Sequence, residues 1–278
     1  MSLVLGSARR FGGELALACI VCAVLVFLVA PTLIVIPMAF GEAEYIEFPP
    51  SSYGLRWFQR YFSDPDWIDS TLFSLKIAFG SMIGATLVGT AAALALARSR
   101  LPGSGLLYAL TLSPLVLPHI VLAIALYLSF APLRLVGTTT GFLLAHTMLG
   151  VPYVVITVSA ALRGFDPMLE LAALNCGASR TRAFFDVVLP SIWPGIVAGA
   201  IFAFLSSFDE ATVALFISDV GGKTLTRKFF EEIDFNLTPV IAAVSTIMVV
   251  ISVAAMATGA FIRRREATQH AMEEEQLA

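Results

Sequence analysis

Residues 135–162 read LVGTTTGFLLAHTMLGVPYVVITVSAAL and contain no Asp, Glu, Lys or Arg. At about 1.5 Å per residue, a helix of that length exceeds the ~30 Å hydrocarbon core of a bilayer. Working outward, five further intervals are free of charge: 15–41, 77–97, 101–133, 187–208 and 235–262. A helix on the surface of a soluble protein turns a charged face to water, and these stretches have no such face. The chain has 278 residues, of which 58% are hydrophobic, and its mean hydropathy is +0.87. This composition excludes a soluble enzyme, a nucleic-acid binder and a disordered chain. The expected fold class is all-α: a polytopic membrane protein with six transmembrane helices. The spans fall at about 15–40, 68–97, 105–130, 138–162, 191–217 and 237–262, in a single transmembrane domain over 1–278.

The connecting segments set the orientation. Residues 1–14, 98–100, 163–186 and 263–278 carry ten Lys or Arg against eight carboxylates, whereas 42–76, 134 and 209–234 carry seven against twelve. Positive charge collects on the cytoplasmic side, so both termini and the 163–186 segment are expected inside, with Arg263, Arg264 and Arg265 as a stop after the last span. Arg9 and Arg10 precede an apolar run about twice as long as a signal peptide's core, which reads as an uncleaved first helix. Tyr45, Tyr53 and Trp57 suit an interfacial stretch on the outer side. Gly80 with Gly84, and Gly195 with Gly199, have the small-residue spacing that lets membrane helices approach closely. Cys19 and Cys22 lie inside the first span with no His or carboxylate near them in sequence, and read as small packing residues; no disulfide framework is implied.

No catalytic constellation is legible. His119 and His146 lie inside spans without partners at metal-ligand spacing, and read as polar contacts between helices rather than ligands or proton carriers. Gly221–Thr224, GGKT, ends like a phosphate-binding loop, but Ile217 stands where that motif needs its first glycine, and no strand precedes it. The chain is therefore expected to be neither an enzyme nor an ATP binder.

Residues 166–195, DPMLELAALNCGASRTRAFFDVVLPSIWPG, form the most specific segment. Asp166–Pro167 has the form of a helix N-terminus, and Gly177 ends that helix. Ser179 caps a second helix over Arg180–Val188, and Leu189–Pro190 is expected to turn the chain back into the membrane. Ala172, Ala173, three residues, Gly177, nine residues, then Val187, Val188, Leu189 and Pro190 resemble the loop of the binding-protein-dependent ABC importer permeases, whose pattern is E-A-A, three residues, G, nine residues, I-x-L-P. Leu171 stands at the glutamate of that pattern and Glu170 falls one residue early, about 100° around the helix. The resemblance implies a type I ABC importer permease fold in a bacterial inner membrane. It also implies that the 163–190 loop couples to separate ATPase subunits, with Glu170, Leu171, Ala172, Ala173, Gly177, Val187, Leu189 and Pro190 at the dock. ATP is then bound by the partners and no cofactor by this chain.

The third span, SPLVLPHIVLAIAL, and residues 206–249 are similar to permeases of the spermidine/putrescine type and their opine and aminoethylphosphonate relatives. That resemblance implies four kinds of partner: a second homologous permease, two ATP-binding subunits, an extracytoplasmic solute-binding protein and membrane lipid, with no nucleic acid. Asp209 and Glu210 come about 28 Å beyond Pro190 along a helix, near the outer boundary. With Ser206 they are candidates for the translocation pathway, as a vestibule attracting a cation such as putrescine or spermidine. The competing reading pairs them with Lys223, Arg227 or Lys228. Outside the class, an ion-coupled secondary transporter using Asp209, Glu210 or His146 would need inverted repeats, and none is visible; an intramembrane hydrolase would need the missing constellation.

Overall fold

The computed structural model describes residues 2–98, 103–218, 223–236 and 238–277, with side chains from residue 17 to 262 and at Glu14. Arg100, Pro102, Gly221 and Gly222 lie outside the described residues, as do the side chains of Arg9, Arg10 and Arg263–Arg265. The regular elements are helices: α1 (Ser2–Ala39), α2 (Arg56–Ser63), α3 (Pro65–Arg98), α4 (Ser104–Val116), α5 (His119–Phe130), α6 (Thr139–Gly164), α7 (Pro167–Asn175), α8 (Arg180–Ala183), a π-helical turn (Phe184–Val188), α9 (Leu189–Phe208), α10 (Thr212–Ile217), α11 (Leu225–Phe235) and α12 (Val240–Leu277). Five helical stretches are long and apolar enough to cross a membrane, and α4 with α5 makes a sixth if that bent pair is one span.

The helices depart from the charge-free runs at two breaks. Residues 105–130 are not one helix, because α4 and α5 meet at 106°. Pro118 has no N–H to continue a helix and drives its predecessor out of the helical region; Leu117 is extended, at φ −71° and ψ 139°. The expected 191–217 span likewise stops at Phe208 and resumes as α10. Over 209–211 the Glu210 side chain takes the place of a backbone acceptor, its Oε1 accepting from the Val213 N–H at 2.9 Å.

The turn expected at Leu189–Pro190 does not form. Residues 180–208 run on as one apolar helical stretch, and the Leu189 N–H reaches back to the Phe184 carbonyl. That five-residue bond marks a π turn, and it sits immediately before a proline that cannot donate. The second helix of the loop is thus the beginning of the following span.

The chain divides into two compact units, Met1–Asp64 with Glu232–Val249, and Pro65–Glu231 with Val250–Ala278. In the first, Gly54 N–H donates to Phe40 O at 2.7 Å, Gly41 bridges to Tyr53, and Trp57 Nε1 donates to Ala43 O at 3.2 Å. Arg56 pairs with Glu44 at 2.9 Å and lies over the Trp57 ring. Trp57 is buried while Tyr45 and Tyr53 are exposed, so the expected interfacial trio is divided. Cys19 and Cys22 are exposed on α1. The expectation that they pack as small side chains is therefore not met within this chain, where the most apolar stretch of α1 has no buried residue.

In the second unit α3, α6 and α9 pack against one another around Ala85, Ala93, Val154, Val158, Ile192, Ile196 and Ala203. Small residues set the approach. A Cβ on Gly150 of α6 would stand 2.9 Å from Ala85 Cβ and 3.0 Å from Ala203 Cβ, and one on Gly199 of α9 would stand 2.8 Å from Val154 Cα. Membrane helices lack a hydrophobic drive to associate and rely on such contact. A second cluster joins Ile77, Leu122, Leu126, Phe142, Leu149, Val213 and Ile217 from α3, α5, α6 and α10; it holds the two helix breaks side by side.

Candidate functional site

The 165–190 loop is built by its caps. Asp166 accepts from the Met168 N–H at 2.9 Å, with Pro167 in the first turn. At the other end Gly177 N–H donates to Leu174 O and Ala178 N–H to Ala173 O, the pair of bonds of a Schellman C-cap. Gly177 has φ +90°, where a side chain is strained. Ser179 accepts from the Arg182 N–H at 3.2 Å and starts the next helix. The sequence-derived residues then separate by exposure. Leu171, Ala172 and Gly177 are exposed together with Met168, Leu169 and Phe185, whereas Val187 and Leu189 are half-buried and Pro190 is exposed. Leu189 packs against the α3–α6–α9 cluster, tying the loop to the bundle.

Glu170 does not join that exposed face. Its carboxylate takes both arms of Arg98, at 2.7 Å (Nη2 to Oε2) and 3.3 Å (Nη1 to Oε1). Arg98 also lies 6.0 Å from the Phe184 ring centroid. Nothing in the spacing of residues 98 and 170 announces this pair.

At the far end of α9, Glu210 is 6% exposed. One oxygen caps α10 through Val213, and the other lies 3.0 Å from His119 Nδ1, with the imidazole half exposed. The partner is thus neither Lys223, Arg227 nor Lys228. Lys223 and Arg227 hold Glu231 at 2.7 and 3.1 Å, and Lys228 faces Asp66 at 3.5 Å. Burial by itself would raise the Glu231 carboxyl, but the hydrogen bonds and charges of Lys223 and Arg227 outweigh it and hold the group below its ordinary value. Asp209 is exposed and Ser206 half-buried. The structure brings Glu210, just past the end of α9, together with His119 at the break between α4 and α5, an arrangement the sequence signals only through Pro118.

Below this junction lies a buried polar group. Ser207 Oγ stands 2.9 Å from His146 Nδ1 and 2.9 Å from Ser81 Oγ, linking α3, α6 and α9. His146 is fully buried, its Nε2 makes no hydrogen bond among the described residues, and its ring contacts Phe142. The expectation that His146 makes a polar contact between helices is met at Nδ1. No cluster of three His, Cys, Asp or Glu side chains suited to a metal occurs among the described residues.

A bundle of apolar spans, one of them broken beside a buried carboxylate, joined by a capped loop outside the bundle, is the build of a transport permease. The pattern of the family described as binding-protein-dependent transport system inner membrane component matches residues 85–267, and the chain belongs to that family. It is 32% identical over 246 residues to the spermidine/putrescine transport system permease protein PotC of Haemophilus influenzae, covering 86% of this chain and 93% of that protein. It is 31% identical over 229 residues to the putrescine transport system permease protein PotI of Escherichia coli, covering 80% and 81%. A chain in the crystal structure of a bacterial alginate ABC transporter, in complex with its alginate pentasaccharide-bound periplasmic protein, superposes with a TM-score of 0.72 at 15% identity, over 92% of this chain and 95% of that one. The fold is that of an ABC importer permease, and the protein is an inner-membrane permease subunit.

Proposed function

We propose that this permease carries a small organic cation of the polyamine class, putrescine or spermidine, into the cytoplasm. The observation that carries the reading is Glu210, a carboxylate 6% exposed just past the end of one span and beside the break in another. A carboxylate at membrane depth costs about 2.5–3.5 kcal/mol on insertion scales and is retained where it faces a partner or a pathway. Asp209, exposed beside it, adds a second negative charge, and Ser206 a hydroxyl. The polyamine relatives, alike over most of the chain, support the same substrate class.

In this reading the permease works with a second homologous permease, two ATP-binding subunits and an extracytoplasmic solute-binding protein. ATP is bound by those subunits and none by this chain. The 163–190 loop faces the cytoplasm with both termini, and Leu171, Ala172, Ala173 and Gly177 meet the ATPase cleft, flanked by the exposed Met168, Leu169 and Phe185. Closure of the ATPases displaces the loop, and because its second helix is continuous with α9, the displacement enters the bundle through that span.

Reconstitution of the complete transporter in proteoliposomes tests the substrate. ATP-dependent uptake of putrescine or spermidine is expected in preference to an opine or 2-aminoethylphosphonate. Preferred uptake of either of the latter overturns the polyamine reading and leaves the importer class untouched.

A further inference from the structure

Arg98 and Glu170 occupy opposite ends of two helices that must move together if the loop drives the bundle. Arg98 is the last residue of α3, and Glu170 lies in the first turn of α7. A cation at a helix C-terminus and an anion at an N-terminus each sit where the helix dipole favours them. Their contact is two-pronged, at 2.7 and 3.3 Å, and the guanidinium is further held over the Phe184 ring in the π turn that opens into α9. One arginine therefore touches both arms of the loop, α7 and the π turn, from the end of a third element. Two-pronged arginine–carboxylate geometry restrains orientation as well as distance.

We propose that Arg98 and Glu170 form a strut that makes the loop and α3 one mechanical body, so that a push on the loop reaches α3 directly as well as α9. This rests on the reading of the loop as the ATPase dock. It gives the displaced carboxylate a defined job: Glu170 points inward to α3, and the exposed dock is left to Leu171, Ala172 and Gly177. Both are positioning residues, and neither touches substrate. Without the strut, α7 is joined to the bundle through the residues on either side of it and through its packing against the π turn, so α3 loses its direct tie to α7 and meets the loop only through the packing around Leu189.

The experiment uses the full transporter with Arg98→Glu, Glu170→Arg and the double exchange. Each single variant is expected to retain the ATPase subunits on purification and to lose about tenfold in putrescine taken up per ATP hydrolysed; the double exchange, which restores the pair but reverses both helix-dipole contacts, is expected to recover part of that loss. A substrate-free measurement accompanies it. Nitroxides at Leu87→Cys on α3 and at native Cys176, with Cys19 and Cys22 replaced by serine, should give one narrow distance that persists when ATP binds, broadened by Arg98→Ala. Equal widths in the parent and Arg98→Ala, or a double exchange as poor as the product of its singles, overturns the strut. Loss of the ATPases in Glu170→Arg, unrepaired by Arg98→Glu, overturns it as well and returns Glu170 to the dock surface. Failure of the parent transporter to move polyamines strikes the substrate reading alone, because the distance measurement needs no substrate.

Discussion

Glu210 combines two jobs whose separation can be measured. As a cap it needs only an oxygen for the Val213 N–H; as a charge it faces His119. Glu210→Gln keeps an acceptor oxygen and removes the charge, so the fold should survive. Putrescine uptake should fall about tenfold or more, equivalent to ~1.4 kcal/mol, and radiotracer uptake beside thermal unfolding in detergent reads both. Unchanged uptake with an unchanged melting temperature removes Glu210 from the pathway. Ser207 is a different case, because it serves the bundle. It is the hydrogen-bonding partner of His146, whose Nε2 already has none. Ser207→Ala leaves the imidazole buried without a partner, which costs about 1–3 kcal/mol and should appear as a lower unfolding midpoint, with no change in preference among substrates.

At the scale of elements, the loop is legible in sequence because caps are local. Asp166, Pro167, Gly177 and Ser179 act on backbone groups two to five residues away, and each is found at its expected place. Breaks in spans are less legible. Pro118 bends the chain by 106°, yet Pro152 and Pro194 sit within continuous helices, so a proline in an apolar run does not by itself tell a break from a tolerated interior position. The helix end at Phe208 depends on a side chain capping forward to Val213, and Pro190 is absorbed by a π turn that periodicity does not announce. Long-range pairs such as Arg98 with Glu170 leave no trace in spacing. The loop also yields a test that separates backbone strain from docking. Gly177 is left-handed, with nothing within 4 Å of a Cβ built on it, and Asn and Asp both tolerate that conformation better than other side chains. Gly177→Asn should retain most uptake, whereas Gly177→Asp places a charge in the proposed dock and should abolish uptake with the protein still in the membrane. Wild-type uptake by the Asp variant would sink the docking assignment.

At the scale of the whole molecule, orientation links the charge bias to the transport direction. Ten basic residues in one set of connections against seven in the other is a small excess, and its weight comes from position, since the rule counts short loops close to the span ends. The native cysteines make the orientation measurable without an introduced thiol, because each of the three is free and exposed in the chain and they differ in where they lie. Cys19 and Cys22 are the third and sixth residues of the apolar stretch Leu17–Ala39, near the end of the span that this topology puts on the loop's side, so both are replaced with serine and Cys176 is left as the one thiol. Cys176 lies beside Gly177 in the loop, outside any span. A membrane-impermeant maleimide should therefore label a single thiol in inside-out vesicles and none in right-side-out ones. Replacing Cys176 with serine should abolish the signal. Because Cys176 borders the proposed dock, bound ATPase subunits should slow its labelling, and stripping them with urea from inside-out vesicles should restore the rate. Labelling from the outer side would reverse the topology and place the loop beyond the reach of any cytoplasmic ATPase; labelling from the inner side at one rate with and without the ATPases would keep the topology and move the dock away from Gly177.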